Sequence, residues 1–375
     1  MAVDEGLTTH IKVAIIGGGP AGLSAAIQLA KIPFIDWKLY EQKPTISEIS
    51  TGITLQRNTW ALLEKMGASK NLRAKDFFRP TDGHDNQYRN TKTVFEDGFT
   101  DAVDLLVGAD GIRSITRSFA FPDHTVSYSG LTAYRALVRS SDAEQINGLA
   151  KAAIFWYGIG GDWVYTCPLN ETDWEITGRF REPDVSDRSS WGRDVDVAVF
   201  AAHFAGYCEP LQQLLSLVTS VKRYDYFGSS RLETVVNEGN TVLIGDASHP
   251  LSGAFGAGAA FALEDANTLA GALRWAGDRS CRLKDALRLF NEVRSAHYKA
   301  LYQTLDDVAA RRQRISTEKL SEEKHIVAQV ENVSQERHTW MYYHDTDVAL
   351  EEAIELLERF LGTPRISLRV NYYID

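Results

Sequence analysis

From Ile11 to Ala30 the chain reads IKVAIIGGGPAGLSAAIQLA. An apolar run of strand length stops at three glycines spaced G-x-G-x-x-G, and an alanine-rich helical pattern starts at once. Gly17 permits the tight turn out of the strand. Gly19 leaves the backbone bare where a pyrophosphate would approach, and Gly22 lets the helix lie close on the strand. The amides at the helix start favour a phosphate. A second short strand, WKLYE, ends on Glu41, 19 residues past Gly22. A carboxylate there accepts hydrogen bonds from both ribose hydroxyls of an adenosine. The three cues together predict a parallel, Rossmann-like sheet that binds a dinucleotide.

Glycine and alanine also dominate GDASHPLSGAFGAGAAFALEDA, residues 245–266, which follows the apolar run TVLI and leads into a helical pattern. An ordinary loop needs one or two glycines. A nicotinamide enzyme usually has no use for a second glycine-rich strand-to-helix junction. A flavin dinucleotide does, because its isoalloxazine ring lies far from the adenine. Asp246 reads either as an N-cap or turn aspartate or as a cofactor ligand. His249 reads either as a turn histidine or as a group close to the flavin.

The bulk properties narrow the class. A chain of 375 residues, 44% hydrophobic and 24% charged, suits a soluble globular protein of one large or two medium domains. The net charge of −10 argues against nucleic acid or an anionic membrane as the main partner. No apolar run reaches transmembrane length. The opening MAVDEGLTTH has no signal-peptide core, and the closing NYYID matches no lipidation signal, so a cytoplasmic location is expected. Cys167, Cys208 and Cys281 are far apart and odd in number, which suits reduced thiols and no structural zinc. There is no metal-ligand spacing, Ser–His–Asp arrangement or P-loop, so no metal is expected.

Along the chain, NTWALLEKMG (58–67) has helical spacing and a glycine C-cap. VFEDGFTDAVDLLVGADG holds an Asp97-Gly98 turn and a buried strand over 103–107. From Leu131 to Phe180 the texture changes: LTAYRALV, AAIFWYGI, DWVYTCPL and DWEITGRF are aromatic and β-branched, separated by turn residues. That pattern predicts an antiparallel sheet inserted in the first domain. Helices over 194–205 and 209–218 and a strand at VKRYDYFG follow. Further helices are expected over 256–276, 283–315 and 348–360. The expected fold is α/β: a Rossmann-like FAD-binding domain, an inserted mostly antiparallel β-sheet substrate domain and C-terminal helices. Its expected parts are 1–120 and 229–315 for the FAD-binding domain, 121–228 for the substrate domain and 316–375 for a helical tail.

Three motifs in order, GGGPAG at 17–22, DLLVGADGIRS at 104–114 and VLIGDASHP…GAGAAFALEDA at 242–266, give the chain a family resemblance. It resembles the single-component FAD-dependent aromatic hydroxylases, the salicylate hydroxylase-like flavoprotein monooxygenases. NEVRSAHYK resembles the helix that follows the last motif in such enzymes. The resemblance implies FAD, NAD(P)H as electron donor, O2, and a small aromatic or phenolic substrate, a secondary metabolite, hydroxylated through a flavin hydroperoxide. It implies that Glu41 binds the ribose and that Gly52 in STGI lies near the cofactor. Asp110 and Gly111 would lie in the motif associated with the flavin diphosphate and the nicotinamide donor. Asp246 would meet the ribityl chain or pyrophosphate, with Pro250 in the same motif. Gly256, Ala257, Gly258 and Ala259 would offer helix-start amides to the pyrimidine edge of the ring, where partial positive charge stabilises reduced flavin.

The sequence departs from the family in three places. Between Gly67 and Asp104 the family usually has several tens more residues, among them a cofactor-touching arginine without a clear counterpart here. Gly253 stands where a proline is frequent, and Cys167 where a tyrosine often precedes the proline of a central strand. In the inserted sheet, Arg135 in TAYRAL is the polar candidate for holding a phenolate, against the alternative of a solvent-facing arginine. Tyr165 shares a strand face with Cys167 and could supply the missing phenol, against the alternative of a core or rim tyrosine. Epoxidation, oxidative dearomatisation or desaturation on the same scaffold is the alternative chemistry. A flavin-deficient, non-catalytic homologue is the alternative that the short segment after Gly67 raises.

Overall fold

The computed structural model describes residues 10–43, 55–73, 102–158, 162–185, 187–189, 192–237, 240–251, 254–279, 282–332 and 339–360. Gly52, Gly253, Cys281 and the Asp97-Gly98 turn lie outside the described residues.

The chain opens with β1 (Ile11–Ile16), α1 (Pro20–Leu29) and β2 (Ile35–Tyr40), followed by α2 (Arg57–Met66). Gly67 ends α2 at φ +80, the left-handed C-cap that glycine adopts without cost. After β3 (Leu105–Gly108) and α3 (Ile115–Ala120), the chain enters a second sheet. That sheet is built from β4 (Val126–Arg139), β5 (Ile154–Tyr157), β6 (Trp163–Pro168), β7 (Asp173–Arg181), β8 (Arg193–Val195) and β9 (Val221–Ser229). A short α4 (Ser140–Ala143), α5 (Val197–Ala202) and α6 (Glu209–Ser216) connect them. The chain then returns through β10 (Val236–Asn237) and β11 (Thr241–Leu243) to α7 (Gly258–Asp278) and α8 (Leu283–Thr317). It ends with α9 (Glu322–Asn332), α10 (Thr339–Tyr342) and α11 (Thr346–Phe360).

The first sheet has the order β10-β11-β3-β1-β2, parallel except for β10. β1 is buried at Ile11, Val13, Ala14 and Ile15, close to a continuous apolar run, because helices cover both faces of a parallel sheet. α7 is the central helix: 15 of its 21 residues are buried, so it is enclosed nearly all round rather than along one stripe, and buried polar residues such as Asp265 are paired inside. Its small residues admit close neighbours. A Cβ at Gly271 would lie 2.4 Å from Leu350 of α11, and one at Gly277 would lie 2.2 Å from Phe34.

The second sheet is antiparallel, in the order β5-β6-β7-β4-β9-β8. Strand side chains alternate between faces. One face, with Tyr134, Ala136, Val138, Val164, Trp174, Ile176 and Phe180, packs on Phe200 and Phe204 at α5 and on Leu211, Leu214 and Leu215 of α6. Arg135 and Tyr165 project from the other. The helix expected over 194–205 is instead an edge strand followed by a shorter helix. The Asp196 carboxylate accepts the Ala198 N–H at 2.8 Å and starts α5, which frees Arg193–Val195 to pair with β9. Among the described residues no helix is long and apolar enough to cross a membrane.

Candidate cofactor and substrate site

Three loops leave the carboxyl ends of β1, β3 and β11, which are neighbours in the sheet, and meet there. Ligands of open α/β sheets bind at this end. In the first loop Gly17 has φ +106 and donates its N–H to the Tyr40 carbonyl at 2.7 Å. A Cβ at Gly17 would lie 2.4 Å from the Ala109 carbonyl oxygen, and one at Gly22 only 1.9 Å from the Gly17 carbonyl oxygen. Both glycines are therefore required by backbone-to-backbone contact. Gly19, the N-cap of α1, is different: a Cβ there would meet nothing within 4 Å. Glu41 closes this corner, its Oε2 accepting the Gly18 N–H at 2.7 Å and its Oε1 the Lys43 N–H at 3.0 Å.

In the second loop the Asp110 carboxylate organises its own chain. It accepts the Ser114 hydroxyl at 2.5 Å, the Thr116 N–H at 3.0 Å and the Thr116 hydroxyl at 3.1 Å. Gly111 follows at φ +75 with open space where a side chain would stand. Arg117, in α3, is buried and ties this loop to the third. It donates to the carbonyls of Asp246 at 3.2 Å, Ala247 at 3.0 Å and Ile112. Its side chain was not among the sequence-based candidates. An arginine within a turn of the ADGIRS motif is the signal that could have found it.

The third loop begins with a single 3-10 turn, Gly245–Ala247. Gly245 has φ +59, and a Cβ on it would lie 2.8 Å from the Ala21 Cβ of α1, so this loop is seated on the helix that follows the first. Asp246 projects into a cleft. Protein surrounds it, yet its side chain is exposed, and burial raises its carboxyl above the ordinary range against the pull of His249 and Arg117. Phe255 (φ 54) and Gly256 (φ +64) then turn the chain into α7, whose N-cap is the fully buried Ala257. The Phe255 carbonyl accepts from Gln56 at 3.1 Å, while Gln56 Oε1 is buried without a partner among the described residues. Gly258 and Ala259 open α7, and the nearest atom to a Cβ at Gly258 would be Asp246 Oδ1, at 3.9 Å. Pro250 is half-buried at the edge of the loop.

His249 does not face the cleft. It is fully buried, with Nε2 2.8 Å from Asp265 Oδ2. Asp265 also accepts the Gly245 N–H at 2.8 Å, Arg294 Nε at 2.7 Å and the Tyr298 hydroxyl at 2.6 Å. This carboxylate therefore fastens the third loop to α8.

On the second sheet, register places Tyr165, Thr177, Arg135 and Lys222 in one row across β6, β7, β4 and β9. The sheet thus brings Arg135 and Tyr165 onto one face, with Cys167 and Glu175 in the next row. The Arg135 guanidinium carbon lies 5.2 Å from the centroid of the Tyr224 ring, and Nε is buried without a hydrogen bond among the described residues. Burial alone would lower Arg135, but Tyr226 and Glu175 outweigh it and hold its charge. Burial, with Cys167 and Glu175 beside it, raises the Tyr165 phenol well above its ordinary value. Burial pushes the Cys167 thiol up to about 12. Both groups are therefore neutral at physiological pH. The two sheets meet where the Arg113 guanidinium, in the second loop, lies 5.1 Å from the Phe227 ring centroid of β9.

A family described as an FAD binding domain matches residues 10–101. The chain is 26% identical to a salicylate hydroxylase of Pseudomonas putida, over 92% of this chain and 94% of that protein. That alignment runs over 421 positions, more than this chain has residues, so the relative carries segments that this chain lacks. A 6-methylsalicylate 1-monooxygenase of Aspergillus terreus is 26% identical over 76% of this chain and 80% of its own. Among solved structures, a salicylate hydroxylase substrate complex superposes with a TM-score of 0.73 at 21% identity, covering 92% of this chain and 98% of that one.

Proposed function

We propose that this chain is an FAD-dependent aromatic hydroxylase that uses NAD(P)H and O2 to hydroxylate a phenolic small molecule of secondary metabolism, a reading supported by its likeness to the salicylate hydroxylases. The observation that carries the reading is the meeting of the three loops around a cleft bordered by bare backbone at Gly19, Gly111 and Gly258, with the Asp246 carboxylate exposed beside them. These residues fit FAD. The cleft is open where side chains would block a cofactor, and Asp246 is an acceptor suited to the hydroxyls of a ribityl chain. Glu41 would take the ribose, the Gly19 end of α1 the diphosphate, and the amides of Gly256–Ala259 the ring edge. Bound FAD would supply the passage of electrons from NAD(P)H to oxygen.

The protein's own part is to bind and orient. Arg135 would hold the substrate oxygen as a phenolate, because a retained guanidinium charge favours the anion. Tyr165, kept neutral, would donate its O–H to the substrate. The test is turnover with NADH or NADPH, O2 and a panel of phenols. The reading expects substrate-stimulated NAD(P)H oxidation and a product heavier by one oxygen atom. A product short of two hydrogens with no oxygen added would replace hydroxylation by desaturation. Protein that stays colourless when FAD is added would overturn the enzyme reading.

Two variants refine it. Arg135→Met should lower kcat/KM for the best phenol by about 10- to 100-fold, the loss of one hydrogen bond to a charged group, with Arg135→Lys recovering part. Equal kcat/KM in Arg135→Met and wild type would remove Arg135 from the site. Asp246→Asn should weaken FAD binding about tenfold, read by flavin fluorescence titration. Its effect on stability has the opposite sign. The folded carboxyl is raised, so its ionisation opposes folding as pH rises above the ordinary aspartate range near ~4. The FAD-free Asn variant should therefore be at least as stable as wild type at pH 7. A less stable variant that binds FAD normally would make Asp246 a structural turn residue.

A further inference from the structure

Three ligand-type side chains that the cofactor reading leaves unused converge at the joint of the C-terminal helices. They are Glu264 of α7, His297 of α8 and His344, which lies between α10 and α11. Their donor atoms all lie within 4.8 Å of one another. Glu264 and His297 are fully buried and His344 is half-buried, so solvent reaches the set from the His344 end. No motif spacing marks them, because each comes from a different element.

The two carboxyl oxygens of Glu264 have different tasks. Oε1 accepts from Asn58 Nδ2 at 2.5 Å, and the same nitrogen donates to the Met341 carbonyl at 2.9 Å. Asn58 therefore orients the carboxylate and holds the backbone just before His344, as the partners behind a metal's ligands do. Oε2 lies 3.2 Å from His297 Nε2 and 3.0 Å from Arg294 Nη1, yet it accepts no hydrogen bond among the described residues. Arg294 already donates through Nε to Asp265 at 2.7 Å, so two buried carboxylates share one guanidinium. Buried charges are paired or coordinate metals. The His297 ring is fixed by Phe261, stacked at 4.6 Å between centroids, and by Trp340, edge-on at 5.2 Å.

Two imidazoles and a carboxylate suit a divalent metal of the zinc class, whereas Mg2+ and Ca2+ take oxygen ligands. Zinc bonds of about 2.0–2.1 Å set tetrahedral ligand atoms about 3.4 Å apart. Glu264 Oε2 and His297 Nε2 stand close to that spacing. The His344 ring stacks on His297 with centroids 3.8 Å apart, and turning it out of the stack brings in the third ligand. We propose that Glu264, His297 and His344 bind one divalent transition-metal ion of the zinc class, which pins the joint of α10 and α11 onto α7 and α8. A fourth position, on the His344 side, is left to water. The inference does not rest on the hydroxylase reading.

The experiment uses the full-length, FAD-treated protein, stripped of metal with EDTA and titrated with ZnCl2 or MgCl2 by calorimetry, with zinc content measured after gel filtration. Wild type should take up one zinc ion per chain, with no comparable uptake of magnesium. His344→Gln and Glu264→Gln should each weaken zinc binding about tenfold or more. Zinc should raise the unfolding temperature of wild type but not of His344→Gln, a difference that a merely structural histidine would not produce. If Glu264→Gln does not fold, His344→Gln carries the test alone. No zinc uptake by wild type, equal uptake of magnesium, or zinc binding unchanged in His344→Gln would overturn the site.

Discussion

Asp265→Asn is expected to lower the unfolding free energy by about 3–5 kcal/mol, the cost of leaving a buried charge without its partner. Asp265 and Arg294 are both fully buried, and Arg294 Nε donates to Asp265 Oδ1 at 2.7 Å. The same carboxylate takes the Tyr298 hydroxyl, the His249 ring and the Gly245 amide. An asparagine of equal size has one acceptor oxygen, and its NH2 would point at groups that are themselves donors. Among the described residues Arg294 would keep Glu264, 3.0 Å from its Nη1, as its remaining counter-charge. Because Gly245 is fastened through Asp265, the turn carrying Asp246 should loosen and FAD retention should fall with stability. Equilibrium urea unfolding checks the first effect and flavin content after gel filtration the second. Asp265→Leu combined with Arg294→Met should be less destabilised than Asp265→Asn, since removing both charges leaves neither unpaired. An Asn variant within about 1 kcal/mol of wild type would contradict the account.

The pH dependence has a fixed sign. Burial alone would raise Asp265, but Arg294, His249 and Tyr298 outweigh it and hold the carboxyl below the ordinary range. A depressed folded value means that the stabilisation is complete above the unfolded aspartate value, near ~4, and is lost as pH falls below it. Wild type should lose stability on that acid limb, and the Asn variant, already without the pair, should lose less there.

Gly22→Ala is the second large effect. Its Cβ would sit 1.9 Å from the Gly17 carbonyl oxygen, and Gly17 is itself held at φ +106 against Ala109. Neither partner is a side chain that can rotate away, so α1 must move off β1. Overpacking of this kind costs about 1–3 kcal/mol and occasionally more. It also displaces the helix start where the diphosphate would bind, so FAD affinity should fall at least 100-fold, equivalent to roughly 2.7 kcal/mol. Gly19→Ala separates the two effects. Its φ of −75 suits any residue and its Cβ would meet nothing within 4 Å, so the protein should fold normally while the added methyl intrudes on the cofactor. Normal FAD binding by Gly19→Ala would place the cofactor elsewhere.

Much of this was legible in the sequence. The strand–glycine–helix pattern at 11–30 gave β1 and α1, and the aromatic, β-branched runs from Leu131 to Phe180 gave the antiparallel sheet, while the row that joins Arg135 to Tyr165 came only from the register. Edges were less legible. Residues 193–195 have no long apolar period and became a strand only because β9 offers an open edge. The motif marked Asp110, but only the fold shows that its carboxylate accepts from Ser114 and Thr116 and so shapes its own loop.

The deepest residues of the site were the least visible. Asp265 and Arg294 are 29 positions apart, and Arg117 reaches a carbonyl 129 positions away. No period or motif spacing encodes such pairs. By itself the sequence determined where bare backbone is needed, because a missing Cβ is a local property that survives in the letters: Gly17, Gly22 and the glycine-rich run from Gly245. The tertiary structure decided what those gaps face and what holds them open. Whether an exposed or a buried charge results depends on which elements pack around it, and that is settled only when α7 and α8 close on the sheet.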